Sequence, residues 1–156
     1  MKQPHWYVLI TKPRAEKKVV QRLLDINLEV YCPVKIEMRQ WSDRKKKVEV
    51  PILPSMVFVR LTDSQRSLVF EVSGVVRYLF WLGEPAIVRE LEIETLKEAL
   101  DSGLTIVESS KIEVGDIIYI EGLRSVKKEK GTLKYISGKH CWVVMESLGY
   151  MVKFDI

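Results

Sequence analysis

Two stretches of alternating residues constrain this chain more than anything else in it. Val34, Ile36 and Met38 alternate with Lys35, Glu37 and Arg39, and Val48, Val50 and Ile52 alternate with Lys47, Glu49 and Pro51. Side chains of a strand point to opposite faces in turn, so a period of two means extended chain. Joined by residues 40–46, the two runs predict a long β-hairpin. Its tip holds Arg39, Trp41, Arg44, Lys45, Lys46 and Lys47. A tip that basic, with a tryptophan in it, is not a core element.

Around this hairpin the chain reads as mixed helix and strand. Residues 6–10 (WYVLI) suit a buried strand, being aromatic and β-branched. Pro13 then fits a first helical turn. Ala15, Val19 and Leu23 recur at helical spacing, with Val20 and Leu24 beside them, and form one apolar stripe. Asn27 is a natural stop. Residues 54–61 (PSMVFVRL) form a second apolar strand, and residues 63–72 a short helix capped by Asp63 or Ser64. Gly74 turns the chain into a strand over residues 76–82. Ile93, Leu96 and Leu100 predict a helix over residues 89–101. Periodicity lapses over residues 102–110, which read as a linker. Four short strands follow, bounded by Gly, Ser and charged turns, the pattern of a small all-β barrel. The expectation is an α+β chain. It has a first α+β domain of residues 1–101 and a β-barrel domain of residues 111–156.

Charge is distributed unevenly along these parts. The chain of 156 residues carries +4 overall, but residues 1–60 carry +7, residues 61–110 carry −5 and residues 111–156 carry +2. A basic first third suggests a face that meets a polyanion, nucleic acid being the commonest. No apolar run nears the roughly 18 residues a bilayer requires. The apolar stretch near the N-terminus is too short for a secretory signal. Cys32 and Cys141 lie far apart and read as reduced thiols. A cytoplasmic protein with no membrane partner is expected. Catalysis is not. Glu90, Glu92 and Glu94 alternate within a helical pattern and point to different faces. No nucleophile elbow or phosphate-cradling glycine loop occurs. His5, Cys32, His140 and Cys141 lack metal-site spacing. No catalytic residue, cofactor or metal is expected.

Four stretches together resemble the NusG family of transcription elongation factors: WYVLITKPRAEKKV, RQWSDRKKKVEVPILPSMVFVRL, GVVRYLFWLGEPAIV and VGDIIYI. The first three match the family's N-terminal domain in order, and the resemblance makes residues 1–101 an antiparallel sheet flanked by helices. The fourth resembles the opening of its KOW domain, an SH3-like β-barrel, at Gly115 and Asp116. Residues 123–130 depart from the family's compact loop there. The hairpin most resembles the specialised UpxY-type antiterminators, which serve particular long operons of the polysaccharide type. The resemblance implies an N-terminal domain that binds the clamp helices of the RNA polymerase largest subunit and suppresses pausing and termination. Carried over, the polymerase-binding positions are Ile10, Met56, Phe58 and Trp81. Met56 stands where an aromatic residue is usual, and Ser55 where glycine is usual. Phe80 and Trp81 are adjacent in a strand, so Phe80 in the core leaves Trp81 for the partner.

The resemblance also implies contact with non-template DNA at Lys12, Arg14, Arg22 and Ser73. The hairpin residues Arg39, Trp41, Arg44, Lys45, Lys46 and Lys47 are a separate candidate for upstream duplex DNA. The KOW domain of the family recruits a small-subunit ribosomal protein or a termination factor. An alternative is a stand-alone RNA-binding module of ribosomal-protein type with a KOW-like barrel. That reading accounts for the basic charge but not for the apolar set at Ile10, Phe58 and Trp81.

Overall fold

The structure, a computed structural model, describes residues 3–81, 83–102, 105–111, 117–118, 126–127, 134–137, 140–145 and 150–155. The chain divides into two compact units, Met1–Leu79 and Phe80–Ile156.

The first unit contains β1 (His5–Thr11), α1 (Glu16–Asp25), β2 (Glu29–Tyr31), β3 (Val34–Gln40), β4 (Lys45–Pro51), β5 (Met56–Leu61) and β6 (Val75–Tyr78). Its sheet runs in the order β2–β5–β1–β6, every neighbouring pair antiparallel. Of the stripe predicted for the first helix, Val19 and Leu23 pack with Tyr7, Leu9, Val57, Val59 and Leu61 of the sheet and Ala15 and Val20 are partly buried, while Leu24 is exposed. The helix starts later than Pro13 suggests. Arg14 has φ +62°, a left-handed conformation that no right-handed turn can include. Asn27 is the stop the sequence indicates, with φ +63°. Its N–H donates to Leu24 O at 2.9 Å and the Leu28 N–H to Leu23 O at 3.1 Å. Those two bonds are a Schellman closure of the helix C-terminus.

Residues 63–72 form two 3₁₀ turns, Asp63–Gln65 and Leu68–Glu71, in place of the expected helix. Side chains from the sheet pin this segment from below. Tyr7 Oη donates to Asp63 Oδ1 at 2.9 Å, and Tyr78 Oη to the Arg66 carbonyl at 2.7 Å. The Arg66 guanidinium lies 5.4 Å from each tyrosine ring. Asp63 is thus held by Tyr7, and Thr62 takes the capping position, its N–H donating to Gln65 Oε1 at 3.0 Å.

The second unit contains β7 (Phe80–Trp81), β8 (Glu84–Pro85), β9 (Ile87–Val88), α2 (Glu90–Asp101), β10 (Thr105–Lys111), β11 (Ile117–Ile118), β12 (Val126–Lys127), β13 (Lys134–Ser137), β14 (His140–Met145) and β15 (Tyr150–Asp155). Antiparallel strands β10–β15–β14–β13 make a four-stranded sheet. Helix α2 lies against β14. Its Ile93, Leu96 and Ala99 are buried, as are Trp142, Val143, Val144, Val152 and Phe154 of the sheet. Lys153, paired with Trp142 across β14 and β15, sets its ammonium 5.8 Å from the indole.

Three details differ from the sequence reading. Leu79 interrupts the strand expected over residues 76–82. Residues 105–111, within and just beyond the expected linker, are strand β10 and pair with β15. Helix α2, expected to close the first domain, belongs to the second unit. The mixed helix and sheet content is as expected. Of the barrel expected over residues 111–156, residues 112–116, 119–125, 128–133, 138–139, 146–149 and 156 lie outside the described residues, with the matched Gly115 and Asp116 among them. Among the described residues no helix is long and apolar enough to cross a membrane.

Candidate functional site

Strand register gathers three of the four expected polymerase-contact residues on one face of the first sheet. Ile10 lies directly across from Met56, and Val8 from Phe58. Tyr31 flanks Phe58 on its other side. Opposed residues of an antiparallel pair share a face, and the α1 side is taken by Tyr7, Leu9, Val57 and Val59. Ile10, Met56 and Phe58 therefore face away from α1.

They are not equally accessible. Phe58 is 0% exposed and Met56 7%. The Phe58 ring stacks on Tyr31 at 6.2 Å with 19° between planes. Strand β5 has neighbours on both sides, and both Phe58 in its middle and Met56 at its start are enclosed. Ile10, near the end of β1, is half-buried. Phe58 is thus support beneath the face, not part of its surface. Trp81 closes β7, and its side chain lies outside the described residues. Phe80 is 55% exposed, so it does not fill the core, the arrangement that would have left Trp81 for the partner.

The positions expected to meet non-template DNA are tied together by the turn before β6. Gly74 has φ +103°, and a Cβ there would meet Val19 Cγ2 at 2.9 Å. Only glycine lets the turn approach α1 this closely. The Gly74 carbonyl accepts from the Lys12 N–H at 2.9 Å. Arg22 Nη1 donates to the Ser73 carbonyl at 2.8 Å. Lys12, Arg14, Arg22 and Ser73 are all exposed around this junction.

The hairpin projects its basic tip as expected. Trp41 and Arg44 exchange backbone bonds of 2.7 and 3.3 Å around Ser42 and Asp43. Lys46 Nζ stands 5.3 Å from the Trp41 ring centre, and Trp41 is 51% exposed. Arg39 lies across from Lys46 and faces with it. Glu37 pairs with Lys35 at 3.0 Å and with Arg39 at 3.5 Å. The Lys35 bond above all, with Arg39 adding to it, holds the Glu37 carboxyl below the usual carboxylate range. The two alternating runs do not share an apolar face. Ile36 opposes Glu49 and Met38 opposes Lys47, while Val48 opposes Glu37 and Val50 opposes Lys35.

A cleft of about 450 Å³ lies between this hairpin and the start of α1. Arg14, Lys17 and Arg39 bring cations to it, Val48, Val50 and Pro51 an apolar wall, and Glu16 and Glu49 carboxylates. Glu16 is only 6% exposed, and its Oε1 has no hydrogen-bond partner among the described residues. Cys32 senses the same carboxylate. Burial first, and then the Glu16 charge, push its thiol up to about 11 against the opposing pull of Lys17. Glu16 was not among the residues singled out from the sequence. The available signal was an acid in the first turn of an otherwise basic helix, KPRAEKK. Among the described residues no group of three His, Cys, Asp or Glu side chains is placed to hold a metal.

Comparison with known proteins bears on residues throughout this unit. The family model NusG, "Transcription termination factor nusG", matches residues 4–97. Two proteins named "Transcription termination/antitermination protein NusG", from Rickettsia typhi and Rickettsia conorii, are each 25% identical over 150 and 154 residues. Each alignment covers 83% of this chain and 78% of the relative. Among solved structures, one titled "Domain interaction in Thermotoga maritima NusG" aligns with 98% of this chain and 93% of its own, at a TM-score of 0.46 and 18% identity.

Proposed function

Because the chain belongs to the NusG family of transcription termination and antitermination factors, we propose that it is a non-enzymatic antiterminator that binds the clamp helices of the RNA polymerase largest subunit. The observation that carries this reading is the shared face of Ile10, Met56 and Phe58 on the side of the sheet away from α1. In this role Ile10 is the contact, with Met56 and Phe58 as the enclosed support. Trp81 is assigned to the same contact by resemblance. Binding that favours the closed clamp shifts the clamp equilibrium by its differential affinity and no further. Pausing and termination are thereby suppressed.

The basic junction at Lys12, Arg14, Arg22 and Ser73 meets non-template DNA in this reading, and the hairpin tip meets upstream duplex. Cations beside an exposed indole suit a nucleic-acid backbone with a stacking base. The hairpin sequence favours the UpxY type, acting on particular operons of the polysaccharide kind in the cytoplasm. The KOW-like domain takes a ribosomal protein or termination factor.

Transcription in vitro through a terminator on the operon's own leader DNA tests the proposal. Added protein is expected to raise read-through. Ile10→Asp is expected to cut polymerase capture by about tenfold or more, the loss typical of an interface anchor, with the unfolding midpoint little changed. Read-through indifferent to the protein would overturn the proposal. Capture that survives Ile10→Asp would remove this face from it.

A further inference from the structure

The cleft between α1 and the hairpin shares Arg14 with the DNA junction and Arg39 with the hairpin tip, but its buried acid and apolar side chains serve neither the DNA nor the polymerase contact. Glu16 is more than nine-tenths buried and presents an acceptor oxygen without a donor. A buried, unpaired carboxylate oxygen carries a desolvation penalty that a bound donor relieves. Around it stand the cations Arg14, Lys17 and Arg39, the apolar side chains of Val48, Val50 and Pro51, and a second carboxylate, Glu49. Arg39, Val48 and Val50 share one face of the hairpin, so the register that splits the two apolar runs also builds this lining.

A ligand that suits this lining carries an anionic group for the cations, an apolar body for the valines and a hydrogen-bond donor for Glu16. About 450 Å³ accommodates one such group. We propose that the cleft binds a guanine nucleotide. The N1–H and N2–H groups of guanine lie side by side and match a carboxylate, an acceptor-only group. Adenine and cytosine offer a single amino group and thymine one imino group. Phosphate goes to Arg14, Lys17 and Arg39, and the base lies on Val48 and Val50. The nucleotide is either free in solution or an unpaired residue of a nucleic-acid strand, since both present the same chemistry. In the second case the inference rests on the nucleic-acid reading above.

The full chain, titrated with fluorescent oligothymidine strands carrying one central G, A, C or inosine, tests this, alongside ribonucleotide versions and free GMP, GTP and ATP. The G strand is expected to bind at least fivefold more tightly than the A, C or all-T strands. Inosine, which lacks the N2 amino group, should fall between. Glu16→Gln should erase the preference while leaving all-T binding in place. Val48→Trp, which fills the cleft without touching the carboxylate, should erase it too, so a folding defect in one variant leaves the other decisive. Discrimination by free GMP or GTP alone identifies a soluble ligand, and discrimination by the strands alone identifies a nucleic acid. Equal affinity for all bases and for both free purine nucleotides would overturn the proposal, as would a guanine preference that both variants keep. Loss of all-T binding alone would count against the DNA reading and not against this one, provided the free guanine nucleotides still bind.

Discussion

Two residues with positive φ frame the end of the first sheet, and the sequence handles them differently. Gly74, at φ +103°, is the residue its position demands. Ser55 has φ +63° where the resembling family usually has glycine, so it bears left-handed strain at the entry to β5. Gly74→Ala is expected to lower stability by about 1–3 kcal/mol, through strain and the Val19 clash together. Ser55→Gly is expected to raise it by up to about 1 kcal/mol. Urea unfolding midpoints report both. Tyr78 makes a third case. Burial is the main cause that raises its phenol to about 12, against the opposing charge of Arg66. A phenol that keeps its proton longer when folded contributes stability that is whole below pH 10. That contribution is lost between about pH 10 and 12, as the unfolded chain ionises and the folded chain does not. Unfolding free energy should therefore fall across that window by an amount on the order of 2 kcal/mol, and Tyr78→Phe should flatten the fall.

At the scale of elements, the hairpin separates what alternation reveals from what register decides. Alternation identified β3 and β4 and their basic tip. It did not reveal that their apolar residues face opposite ways. Ser42 and Asp43 form a two-residue turn between Trp41 and Arg44. That turn length pairs even-numbered residues of β3 with odd-numbered residues of β4. Both runs carry their apolar residues at even positions, so the turn sends them to opposite faces. Ile36 and Met38 are consequently exposed, and Val48 and Val50 are turned to the cleft. Lys45, Lys46 and Lys47, all reversed to Glu, should weaken DNA binding and reduce its dependence on salt by roughly 2–3 in logarithmic slope. Polymerase capture in the same variant should persist. An unchanged salt slope would exclude the tip from DNA contact.

At the scale of the whole molecule, each β-strand of the first sheet serves two faces. One is sealed by α1, and the other carries Ile10, Met56 and Phe58. Phe58 is enclosed, so Phe58→Ala is expected to cost about 3–5 kcal/mol of stability. A lost polymerase contact in that variant would report on folding and not on the interface. Ile10→Asp is the cleaner probe for that reason. Thermal unfolding of both variants in parallel tests the distinction. A Phe58→Ala chain as stable as wild type would mean that the ring is not the core residue its burial indicates.

Local chemistry determined α1, its stop at Asn27, the two central strands and the hairpin. Helical and extended periodicities are written in adjacent residues, and a left-handed asparagine needs no tertiary help. That Ile10, Met56 and Phe58 lie on strands was also legible. Tertiary structure alone decided that Met56 and Phe58 are enclosed while Ile10 is half-buried, because that depends on packing with segments distant in sequence. It also turned residues 63–72 into 3₁₀ turns, through hydroxyls contributed by Tyr7 and Tyr78. The assignment of α2 to the second unit and the assembly of a cleft around Glu16 belong to the same class. Each depends on long-range packing, which a pattern of neighbouring residues does not encode.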